Sequence, residues 1–124
     1  MVNPFSDQRV FMEACDQTTN GIKNEKQYSL YRDLIKEEVE ELNAAIEEND
    51  EVEQLDALID ILVVTIGAIH SMGADAEGAW QEVLKTNLAK IDSNTGKVIK
   101  REDGKVLKPA GWKPPNLLPH IKTR

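Results

Sequence analysis

An all-α fold, a helical bundle finished by a short C-terminal β-hairpin and a proline-rich arm, is predicted by three features of the sequence. Apolar residues recur at helical spacing from Gln27 to about Glu48, the stretch from Glu51 to Ser71 is apolar on nearly every side, and beyond Asp92 the periodicity gives way to turn signals and prolines. At 124 residues the chain suits one domain with its own core and is too short for two ordinary ones. A single domain over 1–124 is expected, with a helical core at about 27–91 and the hairpin and extended arm at 92–124.

Each element has its own signal. Asp7 to Asp16 can form a short amphipathic helix through Val10, Phe11 and Ala14. The first long helix carries Leu30, Leu34, Ile35, Val39, Leu42 and Ile46 on one side and stops at Asn49-Asp50. The second, Glu51 to Ser71, is so uniformly apolar that it belongs at the centre of the bundle, with Gly73 as its terminator. Asp75 caps a third helix running to about Ile91, whose buried side is expected to be Trp80, Val83, Leu84 and Leu88. SNTG then reads as a turn, and KVIKR and KVL as two short strands joined through Asp103-Gly104. Pro109, Pro114, Pro115 and Pro119 can continue neither helix nor central strand, so this tail should wrap over a neighbour as an arm.

Composition narrows the function. Hydrophobic residues at 40% and charged residues at 30% are ordinary for a folded soluble protein. The net charge of -7 argues against a nucleic-acid backbone binder, which needs Lys and Arg to neutralise phosphates, and an acidic chain that handles phosphates needs metal ions as bridges. A lone Cys15 excludes an internal disulfide and a cysteine zinc site, in keeping with a cytoplasmic location. The N-terminus lacks the pattern of a secretory signal. The longest uncharged apolar run, Ile61 to Ile69, is about half of what a bilayer requires, so no membrane partner is expected.

The chemistry lies in acids that sit where apolar residues belong. On a wheel of about 100° per residue with Glu37 at zero, the apolar arc of the first long helix runs from Leu30 near 20° to Val39 near 200°. Glu41 near 40° and Glu38 near 100° fall inside it, and Glu37 stands at its edge. Arg32, Lys36, Glu40, Asn43 and Glu47 take the opposite side. On the second helix a narrow acidic stripe interrupts the apolar surface: with Asp56 at zero, Asp60 lies near 40° and Glu53 near 60°, with Gly67 between Asp56 and Asp60. Burying even one unpaired carboxylate costs several kcal/mol, so a convergent set requires a positive partner. Basic residues of another helix would satisfy that need, and so would a bound cation. An oxygen-only donor set suits magnesium, with manganese as a substitute, rather than zinc or copper. A di-iron bundle would need Glu-x-x-His pairs, and neither His70 nor His120 has a glutamate three residues before it. DSNTG resembles the start of a calcium loop but lacks its glycine and closing glutamate.

EEVEE at 37–41 followed by DALID at 56–60 resembles the motifs of the MazG-like all-α nucleoside triphosphate pyrophosphohydrolases. LYRDLIKEEVEEL, DALIDILVVTIGAI, EVLKTNLAKID, KREDGKVLK and GWKPPNL, in that order, extend the likeness to about two thirds of the chain, and most closely to the short single-domain versions of bacteria and phages. The family's second motif is Glu-x-x-Asp, whereas Ala57 occupies the glutamate position if Asp60 is its aspartate. Asp56 then substitutes one residue earlier, or Glu53 and Asp56 form the motif directly; the apolar run after Asp60 favours the first alignment.

The resemblance implies hydrolysis of a nucleoside or deoxynucleoside triphosphate to the monophosphate and pyrophosphate. It implies Mg2+ held by Glu37, Glu38, Glu41, Asp56 and Asp60, with Glu38 or Glu37 helping to deprotonate the attacking water. Asn87 and Lys90 look like the family's phosphate-contacting pair, and Arg101 and Lys105 are further candidates to bind substrate. Trp112 is read either as a platform for a base or as a contact with a neighbouring subunit. The resemblance also implies a homo-oligomer, a dimer or tetramer, and so does a central helix with too little material around it. A non-catalytic acidic helical module, for oligomerisation or metal binding, is the alternative.

Overall fold

The first helix begins earlier than the hydrophobic spacing indicates. In the computed structural model, which describes residues 2–122, α1 spans Pro4–Ala14 because the Asn3 side chain accepts from the Phe5 and Ser6 amides and Pro4 fills the first helical turn. Its inward residues are Gln8 and Met12, one turn apart, while Val10 and Phe11 stand 68% and 61% exposed. The expected face through Val10, Phe11 and Ala14 is therefore replaced by one rotated around the helix. Met12 and the amide of Gln8 meet the Tyr31 side chain, a partner that local periodicity does not reveal.

Helix α2 is Glu25–Glu47, capped by the Asn24 side chain on the Gln27 amide, and α3 is Glu51–Ser71, capped by Asp50 on Glu53. The turn between them is so short that the two must run antiparallel, and Asn49 makes it with φ of 55°. The register is anchored at the far end. Gln27 Nε2 donates to Ser71 Oγ at 2.8 Å and to the Thr18 carbonyl at 2.8 Å, and Gln27 Oε1 accepts the Thr18 amide at 2.8 Å. A step further along, the Tyr31 ring lies against Gly67. Met12, Tyr31 and Ala68 form the buried core, flanked by Tyr28, Leu34, Ile35 and Val64.

Just past the end of α3, Gly73 has φ of 75° and donates to the His70 carbonyl, the terminating role that its sequence position predicts. His70 is buried, and its Nε2–H donates to the Phe5 carbonyl at 2.8 Å, pinning the start of α1 to the end of α3. Only the second half of α3 is central. Val52, Leu55, Ile59 and Leu62 form a stripe that is bare in the single chain.

The chain bends by 115° into α4, Ala76–Leu88, which Asp75 caps on the Gly78 amide. Here the expected buried side is corrected: Trp80 and Leu88 are 58% and 55% exposed, and Ala76 and Thr86 are the buried residues. The reason is that α4 packs against the returning arm rather than into the bundle. Trp112 Nε1 donates to the Thr86 carbonyl at 2.7 Å, the Asn116 amide to Glu82 Oε2 at 3.0 Å, and the Asp75 amide to the carbonyl of His120 in the terminal turn α5, Pro119–Lys122.

The expected two-stranded hairpin is not formed. Isolated antiparallel bridges, Ile91 with Val98 and Lys100 with Val106, close two successive turns without extending into strands. Residues 99–111 are exposed throughout, so no apolar face drives a longer ladder. Among the described residues no single helix is long and apolar enough to cross a membrane.

Candidate active site

The antiparallel register brings the acidic stripes of α2 and α3 together. Glu38 lies two turns beyond Tyr31 and Asp60 two turns before Gly67, so the pair that touches at Tyr31 and Gly67 sets Glu38 toward Asp60. Glu38 Oε2 is sealed from solvent and has no hydrogen-bond partner, although the side chain as a whole is only half-buried. Its carboxyl pKa is pushed up to about 6, first by burial, then by the adjacent Glu41 carboxylate, then by Asp60 and Asp56. Asp60 is likewise raised, by burial and by the charges of Asp56 and Glu41. Every charged group acting on these two acids is itself an acid.

Beside them, Glu41, Glu48, Glu53 and Asp56 line an open groove of about 270 Å³ floored by Ala44, Ala45 and Ala57. The alanines matter, because small side chains at the crossing let the helices approach while leaving room between the carboxylates. Glu53, which spacing alone leaves undecided, lies on this groove. Glu48 is an acid that the sequence pattern does not single out; it follows Glu41 by two turns on the same face, a signal obscured by its place at the helix end.

Glu38, Glu41, Asp56 and Asp60 thus share one electrostatic cluster, and Glu37 does not join it. Glu37 is exposed and exerts no influence on Glu38 or Asp60, since a position at the edge of the arc turns outward once α3 is in place. Among the described residues none of these acids forms an ion pair with a Lys or Arg. Nor, among the described residues, do three ligand side chains converge into a closed metal cage. An orphaned, buried carboxylate oxygen among oxygen-only donors still fits a hard divalent ion, and magnesium in particular is bound through one or two carboxylates while keeping several waters.

The basic candidates stand elsewhere. Lys90 Nζ donates to Asn87 Oδ1 at 3.1 Å and lies 5.1 Å from the centre of the Trp112 ring. Arg101 is held by Asp103 through two contacts, and Lys105 is exposed in the turn. Trp112 itself packs against α4 of its own chain, its Nε1–H donating to the Thr86 carbonyl.

The sequence pattern of one family, described as "PRA-PH: Phosphoribosyl-ATP pyrophosphohydrolase", matches residues 8–87, which include α2, α3 and all the clustered acids. No curated protein gives a significant match.

Proposed function

From the premise that the chain belongs to the phosphoribosyl-ATP pyrophosphohydrolase family, within the MazG-like all-α superfamily, we propose that it hydrolyses a nucleoside or deoxynucleoside triphosphate to the monophosphate and pyrophosphate with Mg2+. Membership points to the coarser activity, a nucleotide pyrophosphohydrolase; the triphosphate and the metal are the proposal.

The observation that carries it is the buried, unpartnered Oε2 of Glu38 inside an all-acid cluster. Such a cluster repels a polyphosphate unless cations intervene. Bound there, a divalent ion would neutralise phosphate oxygens and lower the pKa of a coordinated water. Glu38, Glu41, Asp56 and Asp60 are the proposed ligands, with Mn2+ as a substitute ion. Glu38, which faces the acid cluster, is better placed to accept a proton from the attacking water than the exposed Glu37. Asn87 and Lys90 keep their proposed role on phosphate oxygens by resemblance, with Arg101 and Lys105 secondary.

We propose a homo-oligomer as well, dimer or tetramer, because Val52, Leu55, Ile59 and Leu62 are between 50% and 77% exposed along one stripe of α3. Sedimentation as an active monomer would refute the assembly.

A second reading follows from the family description: the substrate is phosphoribosyl-ATP, which carries the same triphosphate. Incubation with a panel of nucleoside triphosphates, deoxynucleoside triphosphates and phosphoribosyl-ATP, each with Mg2+, tests both. Monophosphate plus pyrophosphate from one of them identifies the substrate class. Orthophosphate release would replace the assigned reaction by another hydrolysis, and no turnover on any of them supports the non-catalytic acidic module.

A further inference from the structure

Helix α4 tightens at its end. The Ala89 amide still reaches four residues back, to the Lys85 carbonyl at 3.0 Å, but the Lys90 amide turns to the Asn87 carbonyl, three back, at 3.1 Å. The Thr86 carbonyl thereby loses the donor that a continuing helix would give it and becomes one of the acceptors that a helix C-terminus must satisfy from outside. Trp112 supplies the missing donor: its Nε1–H meets the Thr86 oxygen at 2.7 Å, across a sequence separation of 26 residues.

The same indole also holds the side chain that follows this turn. Lys90 Nζ stands 5.1 Å from the ring centre and donates to Asn87 Oδ1 at 3.1 Å. Lys108 of the arm approaches the ring to the same distance. Among the described residues no carboxylate pairs with Lys90. An ammonium group has three N–H donors; with one engaged by Asn87 and the ring lying beside the group, its remaining capacity is directed, and its charge is not neutralised. A lysine at a helix end ordinarily samples many rotamers and loses that freedom when it grips an anion. Here the half-buried ring, fixed by its hydrogen bond, removes the freedom beforehand.

We propose that Trp112 is a positioning residue: it closes the last turn of α4 and holds the Lys90 ammonium, together with Asn87, in the orientation that receives a phosphate oxygen of the substrate. The assignment rests on the phosphate role given above to Asn87 and Lys90. It draws the C-terminal arm, which lies beyond the matched residues 8–87, into the working enzyme. Trp112 acts on a side chain rather than on the reacting atoms, so its loss should weaken the grip on substrate more than it slows the chemical step.

The test is a double-mutant cycle in the full-length chain, with Mg2+ and the triphosphate of the panel that turns over fastest. Trp112→Leu should raise KM about tenfold with kcat nearly unchanged, and so should Lys90→Met; in the Lys90→Met background the tryptophan change should add nothing. Trp112→Phe, which keeps a ring face but has no N–H, should recover part of the loss. Circular dichroism should stay unchanged, since neither residue belongs to the α2–α3 core. A fall in kcat at constant KM marks a loss of folded enzyme and overturns the proposal, as do additive effects of the two changes. A second measurement needs neither substrate nor metal: competitive acetylation of the lysines by acetic anhydride, read by mass spectrometry. Lys90 should react about threefold more slowly than the exposed Lys36, and Trp112→Leu should abolish the difference. A Lys90 rate that Trp112→Leu leaves unchanged overturns the positioning, whatever the kinetics. The expected rate difference in a chain that turns over no triphosphate overturns instead the reading of the site on which the phosphate role depends.

Discussion

The ring of Tyr31 fills the space that a side chain on Gly67 would need: a Cβ there would collide with Tyr31 Cε1 and stand 2.5 Å from Cδ1. The ring cannot easily retreat, because it is buried against Met12 and Ala68 and its hydroxyl donates to Gln17. This contact fixes how α2 and α3 lie against one another, and with it the placing of Glu38 toward Asp60 two turns away.

Gly67→Ala should therefore destabilise the protein. Overpacking costs about 1–3 kcal/mol, and the gain of about 1 kcal/mol in helix propensity offsets only part of it. A lower denaturation midpoint with an unchanged slope is the expected result. The same loss should persist in a Tyr31→Phe background, since the clash is with ring carbons and not with the hydroxyl.

Gln27→Leu removes the amide that answers the Thr18 backbone and Ser71 Oγ. Leaving buried polar groups unpaired costs about 1–3 kcal/mol each, so a loss of at least about 2 kcal/mol is expected by chemical denaturation. Protease cleavage within residues 17–24 should rise in parallel.

The acid cluster predicts a pH signature in metal-free protein. Glu38 is raised from 4.5 to about 6 in the fold, so its stabilising contribution is complete below about 4.5 and is lost as pH rises through about 6. Glu38→Gln should thus be the more stable protein at pH 7.5 in EDTA, with the advantage shrinking toward pH 4.5. Thermal melts of the two proteins across this range measure the difference. With Mg2+ and substrate at neutral pH, the same variant should lose turnover by about a hundredfold or more.

His70 acts in the opposite sense. Burial lowers its pKa below 6.5, so the stability it provides is complete above 6.5 and is lost as pH falls through its folded value. His70→Gln, which can still donate to the Phe5 carbonyl, should flatten the acid limb of the stability profile. A profile identical to that of the parent would exclude His70 as its source.

Mg2+ should raise the melting temperature. At a hundredfold excess over its dissociation constant the stabilisation is about 2.7 kcal/mol, or several degrees for a chain of this size. Asp56→Asn with Asp60→Asn should abolish the shift without unfolding the protein, because it also removes repulsion from the cluster.

The long helices and their caps are largely legible in the amino-acid sequence, as are the acids that occupy the core-facing arc. Glu38 and Asp60 stand out because a carboxylate inside an apolar stripe is anomalous on its own helix. Glu37 and Trp112 are not resolved in this way: an arc edge points inward or outward according to what packs beside it, and an aromatic among prolines carries no local clue to its partner.

The sequence by itself determined the periodicity of α2 and α3, their termini near Asp50 and Gly73, and the acidic stripes, since each depends on neighbours within a turn or two of chain. Tertiary structure decided which face of α1 is buried, which acids confront one another, and that the basic arm lies along α4. Those outcomes rest on contacts between residues distant in sequence, Gln27 with Ser71, Tyr31 with Gly67 and Trp112 with Thr86, where shape and hydrogen bonding across the gap select one arrangement among several that the local pattern allows equally.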